Sequence, residues 1–280
     1  MSTRAAQYAA TVLRREQLSD HFVRIVLGGD GLTAFESTGV PDEWVALTVP
    51  GQFQTRYYTV RSWAAGELTL DIVVHDHGLV TEWAAGDCVG DVVTISAAKG
   101  SFDMPESAQW LLLVGDLTAL PAIARIIETA PAGLDVRAWV EIPDAPLTDY
   151  LLGVADGQSG TITWVPVPHD AETATAAIVE AITWPDGEGY FWMAGESAQM
   201  RAIRKHLMRE VKLPTSAYDV MGYWRGGGHQ RQPRAVDPGP IWREGKAQGK
   251  TDDEIWAAYD AARDEAAAQA ADDAAREADR

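Results

Sequence analysis

The hydrophobic period of this chain changes once, and that change divides the fold. Up to about residue 104 the apolar residues come in short alternating or β-branched segments: HFVRIVLGG, DEWVALTVP, YYTVRSW, GELTLDIVVH and GDVVTIS. A period of two suits strands with one buried face, and the Gly, Pro and Asp residues between them supply turns. Such spacing predicts a small antiparallel β-barrel. After GSFDMP the run WLLLVG (Trp110–Gly115) is apolar without a break, as a strand covered on both faces must be. TALPAIARIIETA follows, placing Leu120, Ile123, Ala124 and Ile127 on one helical face. LDVRAWVEI, GTITWVPVP, a helix in AETATAAIVEAI, the strand GYFWMAGE and the helix SAQMRAIRKHLMREV continue the pattern. Strands alternating with helices imply βαβ units and a largely parallel sheet. The boundary is expected between Met104 and Gln109, giving a barrel domain at 1–106 and an α/β domain at 107–228. Residues 229–280 read as a Gly/Pro linker followed by an acidic helical or disordered tail.

Composition narrows the function classes. A length of 280 residues with 46% hydrophobic residues can build two cores. A formal charge of −18 argues against a nucleic-acid partner, which needs a basic face. No apolar run approaches a membrane span, and the N-terminus lacks the apolar core of a signal peptide. Cys88 is the single cysteine, so there is neither an internal disulfide nor a cysteine zinc site. The expectation is a cytoplasmic monomer without stable membrane association. In the tail, Thr251 to Glu254 form a capping-box pattern, and Ile255, Trp256 and Tyr259 are placed to anchor it.

TRYYTVRSW (Thr55–Trp63) crowds two arginines, three aromatics and three hydroxyl-bearing Thr and Ser residues between strand-like runs. Arg56 can pair with a phosphate, Tyr58 offers a ring face, and Thr59 offers a hydroxyl. Alternation puts Arg56, Tyr58 and Val60 on one face and Tyr57, Thr59 and Arg61 on the other. Two readings stand: a flat anionic ligand lying on the strand, or a ladder facing solvent. His75 and His77 form an H-x-H pair, but no Cys or carboxylate cluster accompanies it, so no metal is expected. GDLTAL (Gly115–Leu120) and AGES (Ala194–Ser197) are strand-to-helix turns of the kind that receive nucleotides in open α/β sheets. Thr118 is expected to cap the first of the two helices. Arg201, Arg204 and Lys205 can reach a 2′-phosphate or stay solvated, whereas Glu141 can take a ribose diol. The first hint favours NADPH and the second NADH.

RYYTVRSW, VVHDHG…W, VGDLTALPAIARIIE, WMAGESAQMRAIRKHL and GYWRGG together resemble siderophore-interacting proteins, from about Tyr8 to Gly227. These are FAD-containing ferric-siderophore reductases of the ferredoxin-reductase-like superfamily. The resemblance implies a flavin motif of Arg56, Tyr58 and Thr59, with Tyr57, Val60 and Arg61 beside them. It implies a pyrophosphate loop at Val74, His75, Gly78, Val80, Thr81 and Trp83. There the sequence departs from the family: the loop is shorter, and Leu79-Val80-Thr81 stands where Pro-Ala-Ser is usual. Asp116, Thr118, Ala119 and Glu196 would face NADH or NADPH, and Tyr223 or Trp224 would cover the flavin. Thr59 and Arg225 are the implied catalytic residues, Arg225 holding an anionic ferric siderophore near the flavin. Hydride from the nicotinamide, or electrons from ferredoxin, would reach Fe(III) through FAD. The alternatives are a flavin reductase with another acceptor, or a non-catalytic flavin- or siderophore-binding module.

Overall fold

The computed structural model describes residues 6–51, 55–75, 78–143, 147–151, 160–167, 173–225 and 248. The chain divides into two compact units, Met1–Gly226 and Gly227–Arg280. Every element below belongs to the first unit. The capping box at Thr251 and the anchors Ile255, Trp256 and Tyr259 lie outside the described residues.

Six strands close the expected barrel: β1 (Gln7–Gln17), β2 (Phe22–Gly28), β3 (Trp44–Thr48), β4 (Arg56–Ala64), β5 (Glu67–Val73) and β6 (Val92–Ser96). Their order is β1-β2-β5-β4-β3-β6, with β6 pairing back onto β1, and all pairs are antiparallel. Inward residues such as Val23, Ile25, Leu27, Leu47, Val60, Leu68, Leu70 and Ile95 fill the barrel. Positive φ at Ala65 (52°) and Gly66 (79°) makes the tight β4–β5 hairpin, whose twist matches the strands. A short helix α1 (Leu79–Ala85) buries Val80 and Ala84 against this core.

The alternation rule missed β1. Ala10 and Val12 point inward, but a register shift between Val12 and Arg14 breaks the pattern. Arg14 and Arg15 then occupy exposed or half-buried positions, pairing with Glu67 and the Ala84 carbonyl.

The second layer is a parallel sheet of β7 (Trp110–Gly115), β8 (Asp135–Ile142), β9 (Gly160–Pro166), β10 (Gly189–Glu196) and β11 (Tyr218–Trp224) in the order β11-β10-β7-β8-β9. β7 and β10 are buried along their whole length, as central strands covered on both faces are. Helix α2 (Leu120–Thr129) lays Leu120, Ile123, Ala124 and Ile127 on Leu111 and Leu113 of one sheet face. α3 (Thr175–Ala181) and α4 (Met200–His206) pack on Leu112 and Val114 of the other.

Barrel and sheet are joined through α2 and β10. Arg61 of β4 forms a two-point bond with Glu128 of α2, at 2.9 and 2.5 Å. Arg125 of α2 donates to Glu43 (3.1 Å) and to the Val60 carbonyl of β4. Asp42, fully buried just before β3, accepts the Trp192 indole N–H of β10 at 3.2 Å. Buried carboxylates that collect this many donors fix one arrangement of the two layers.

Candidate functional site

β4 separates its residues as alternation requires. Tyr58 and Val60 face the barrel core, and burial pushes the Tyr58 phenol up to about 12 despite the nearby Arg56 cation. Arg56 and Tyr57 are exposed at the strand's start, Tyr57 to 69%. Thr59 and Arg61 turn toward the sheet. There Thr59 meets Tyr223 of β11: the Thr59 hydroxyl influences the Tyr223 phenol, yet neither oxygen reaches hydrogen-bond geometry. Among the described residues, the buried side-chain polar atoms without a hydrogen-bond partner are Thr59 Oγ1, Tyr223 Oη and Arg61 Nε, the last ion-paired with Asp71 at 3.9 Å. All three belong to the sequence-derived candidates. Burial, then the negative charge of Asp42, raises the Tyr223 phenol well above its ordinary value. The Tyr223 ring meets Trp192 edge-on at 6.5 Å.

One residue along β11 the polar groups are fully engaged. Trp224 Nε1 donates to Asp116 Oδ2 at 2.5 Å. Asp116 Oδ1 accepts the Thr118 amide (2.8 Å) and the Thr118 hydroxyl (2.5 Å). This corrects the expected capping: Thr118 is a donor in the turn, Ala119 stands at the helix N-cap, and Asp116 is the acceptor that organises the loop. Burial raises the Asp116 carboxyl above the usual range, although Thr118 and Trp224 oppose the shift. Glu196, also buried, accepts the amides of Ala198 (2.6 Å) and Gln199 (3.2 Å). Ser197 donates its amide (2.7 Å) and hydroxyl (2.6 Å) to the Trp224 carbonyl. Gly222 permits that approach, since a Cβ there would lie 2.5 Å from Ser197 Oγ. Asp116, Thr118, Ala119, Glu196 and Trp224 therefore gather at one end of the sheet, with Tyr223 beside them. Arg225 follows, exposed.

The other predicted group gathers around α1. The Thr81 hydroxyl accepts the His75 amide (3.0 Å), and the Gly78 amide meets Glu82 Oε1 at 3.4 Å. Val80 is buried in the barrel core, and the Val74 amide is held by the His21 carbonyl at 2.8 Å. Trp83 Nε1 donates to Asp91 at 2.8 Å. His77 lies outside the described residues. Glu141 is buried with its carboxylate on the Ala174 amide at the start of α3. The Arg204 guanidinium takes the Val220 carbonyl of β11. Arg201, Arg204, Lys205, Met208 and Arg209 line a surface cavity of about 310 Å³. No group of three potential metal ligands occurs among the described residues.

Asp42, Ser101, Trp192 and Asp219 escaped the sequence reading. Asp42 Oδ1 accepts the amides of Ser101 (2.9 Å) and Phe102 (3.0 Å), and the Ser101 hydroxyl lies 3.0 Å from Asp42 Oδ2 and 2.5 Å from Asp219 Oδ2. No local pattern announces contacts made across such sequence distances.

Residues 108–227 match the family described as siderophore-interacting protein, and residues 51–102 match the siderophore-interacting FAD-binding domain. The chain is 29% identical over 238 residues to the NADPH-dependent ferric-chelate reductase of Escherichia coli, covering 76% of this chain and 91% of that one. It is 29% identical over 178 residues to the ferric vibriobactin reductase ViuB of Vibrio cholerae, covering 61% and 65%. The crystal structure of a siderophore utilization protein from T. fusca superimposes with a TM-score of 0.66 at 26% identity, covering 79% of this chain and 94% of that one. With these two domain models together matching residues 51–102 and 108–227, this chain belongs to the siderophore-interacting proteins.

Proposed function

We propose that the protein reduces ferric siderophores through FAD, with NADH or NADPH as the source of electrons. The observation that carries the reading is the buried, unpartnered hydroxyl pair of Thr59 and Tyr223 at the barrel–sheet joint. A buried hydroxyl without a partner costs roughly 1–3 kcal/mol, so two side by side suit a polar ligand edge. An isoalloxazine presents both donors and acceptors on such an edge, and the residues present fit it. When bound, FAD supplies the conversion of a two-electron hydride into single electrons.

This chain's residues do the placing. Thr59 and Tyr223 would hydrogen-bond the ring, while Arg61, held by Glu128, keeps β4 in register against α2. Arg56, exposed at the start of β4, would pair with a phosphate. Asp116 and Glu196 shape the two turns that receive the nicotinamide nucleotide. Because Glu141 already holds the Ala174 amide, its hint toward NADH weakens, and the cationic cavity on α4 keeps NADPH in the proposal. Arg225 draws an anionic ferric chelate toward the joint. Hard oxygen chelators hold Fe(III) better than Fe(II), so reduction loosens the metal.

The protein is read as a monomer working in the cytoplasm. No helix among the described residues is long and apolar enough to cross a membrane. The test is an anaerobic absorbance scan of FAD-reconstituted protein before and after NADH, NADPH and then a ferric siderophore. Bleaching by one nucleotide and recovery with the ferric complex is expected, and it names the donor. Bleaching only by a chemical reductant replaces the nucleotide with a ferredoxin-type donor. Failure to take up FAD overturns the proposal.

A further inference from the structure

β4 changes neighbours at Thr59. That residue is the last of β4 in register with β3, opposite Trp44, and Val60 is the first in register with β5, opposite Leu70. The register then shifts before Ser62, so Arg61 stands without a residue opposite it, as in a β-bulge. The Val60 amide still reaches the Glu43 carbonyl at 2.8 Å. The Glu43 amide, which would return the bond in a regular antiparallel pair, turns back instead to the Val40 carbonyl at 3.1 Å. Val60 is fully buried, so its carbonyl needs a donor from elsewhere.

Arg125 of α2 supplies that donor. Its Nη1 donates to the Val60 carbonyl and, at 3.1 Å, to Glu43 Oε1. Glu43 is itself fixed: fully buried, it accepts the Ser37 hydroxyl, the Thr38 amide and the Thr38 hydroxyl, each at 2.7 Å. A planar, permanently charged guanidinium suits two acceptors at set angles. Three residues along α2, Glu128 grips Arg61 in the bulge itself. Where the strand ladder lapses, side chains of α2 therefore set the backbone. Bulges re-aim the side chains beside them, and Val60 is joined to Thr59 by one peptide unit, so a turn of that unit swings the Thr59 hydroxyl.

We infer that Arg125 is a positioning residue, an inference that rests on the flavin reading above: by completing the lapsed ladder at Val60, it aims the Thr59 hydroxyl at the ligand edge shared with Tyr223.

A double-mutant cycle on the full chain tests this role, with FAD added to FAD-free protein and binding read by quenching of flavin fluorescence. Thr59→Val should weaken FAD binding about tenfold, one hydrogen bond's worth, and Arg125→Met should do the same. Together they should still cost about tenfold, because no hydroxyl is left to misplace. A merely structural role for Arg125 would multiply the two losses to about a hundredfold, which overturns the inference and leaves the flavin reading standing. An Arg125→Met protein that binds FAD as wild type does has the same meaning. Unchanged affinity in Thr59→Val overturns the flavin reading at this pair, and the positioning role with it. Should Arg125→Met fold poorly because the buried Glu43 carboxylate loses its cation, adding Glu43→Gln removes both charges of the pair, and the cycle with Thr59→Val is read in that background.

Discussion

Tyr223 and Trp224 are neighbours on β11, and their polar atoms meet opposite fates. The Trp224 indole N–H is taken by Asp116, whose other oxygen is taken by Thr118. The Tyr223 hydroxyl, buried beside Thr59, has no partner. Sequence reasoning assigned both residues to the same task. The difference teaches that a turn which satisfies itself is built for the fold, whereas a buried pair left unsatisfied is held open for a ligand.

The sharpest way to break this contrast is Asp42→Ala, which strips the acceptor from Ser101, Phe102 and Trp192 at once. At about 1–3 kcal/mol for each orphaned donor, the loss should reach 3 kcal/mol or more, read by denaturant unfolding. An Asp42→Ala protein as stable as wild type would mean that the joint is not held by this carboxylate. Trp224→Phe should cost roughly 1–3 kcal/mol by depriving buried Asp116 of a donor, equally with and without FAD. A loss that appears only with FAD would move Trp224 into the ligand site. Tyr223→Phe should leave the FAD-free protein unchanged or up to about 1 kcal/mol more stable, while FAD affinity drops roughly tenfold, one hydrogen bond's worth. Equal destabilisation of both forms would erase the contrast.

The smallest effect concerns pH. Asp116 has a raised folded value, so folding takes up a proton there. The stability linked to that proton is fully present below the ordinary carboxylate range and is lost as pH rises through the raised value. Asp116→Asn should flatten this slope in thermal melts across mildly acid to neutral pH. An unchanged slope would assign the linkage to Glu141 or Asp219, which burial also raises.

Most of the architecture was legible because each region repeats one simple period. β3 and β6 alternate, β7 and β10 are continuous apolar runs, and α2 presents the expected stripe. β1 escaped because its register shift interrupts the alternation after Val12. In the site, alternation correctly separated Thr59 from Tyr58. Thr118 was legible as a turn residue but not in its role, since donor and acceptor in a turn depend on which oxygen is buried beside it. Asp42 was beyond reach: its partners stand 59 and 150 residues away, and PDEW reads locally as a polar turn.

Arg204 has a consequence beyond charge. β11 is an outer strand of the sheet, and the outer strand of an open sheet is a template on which another chain can add a strand. Here the guanidinium of Arg204 occupies the Val220 carbonyl. An incoming strand would have to displace it before pairing with that carbonyl. The barrel escapes edge-to-edge growth by closing on itself; on the β11 side the sheet resists it with a side chain from α4.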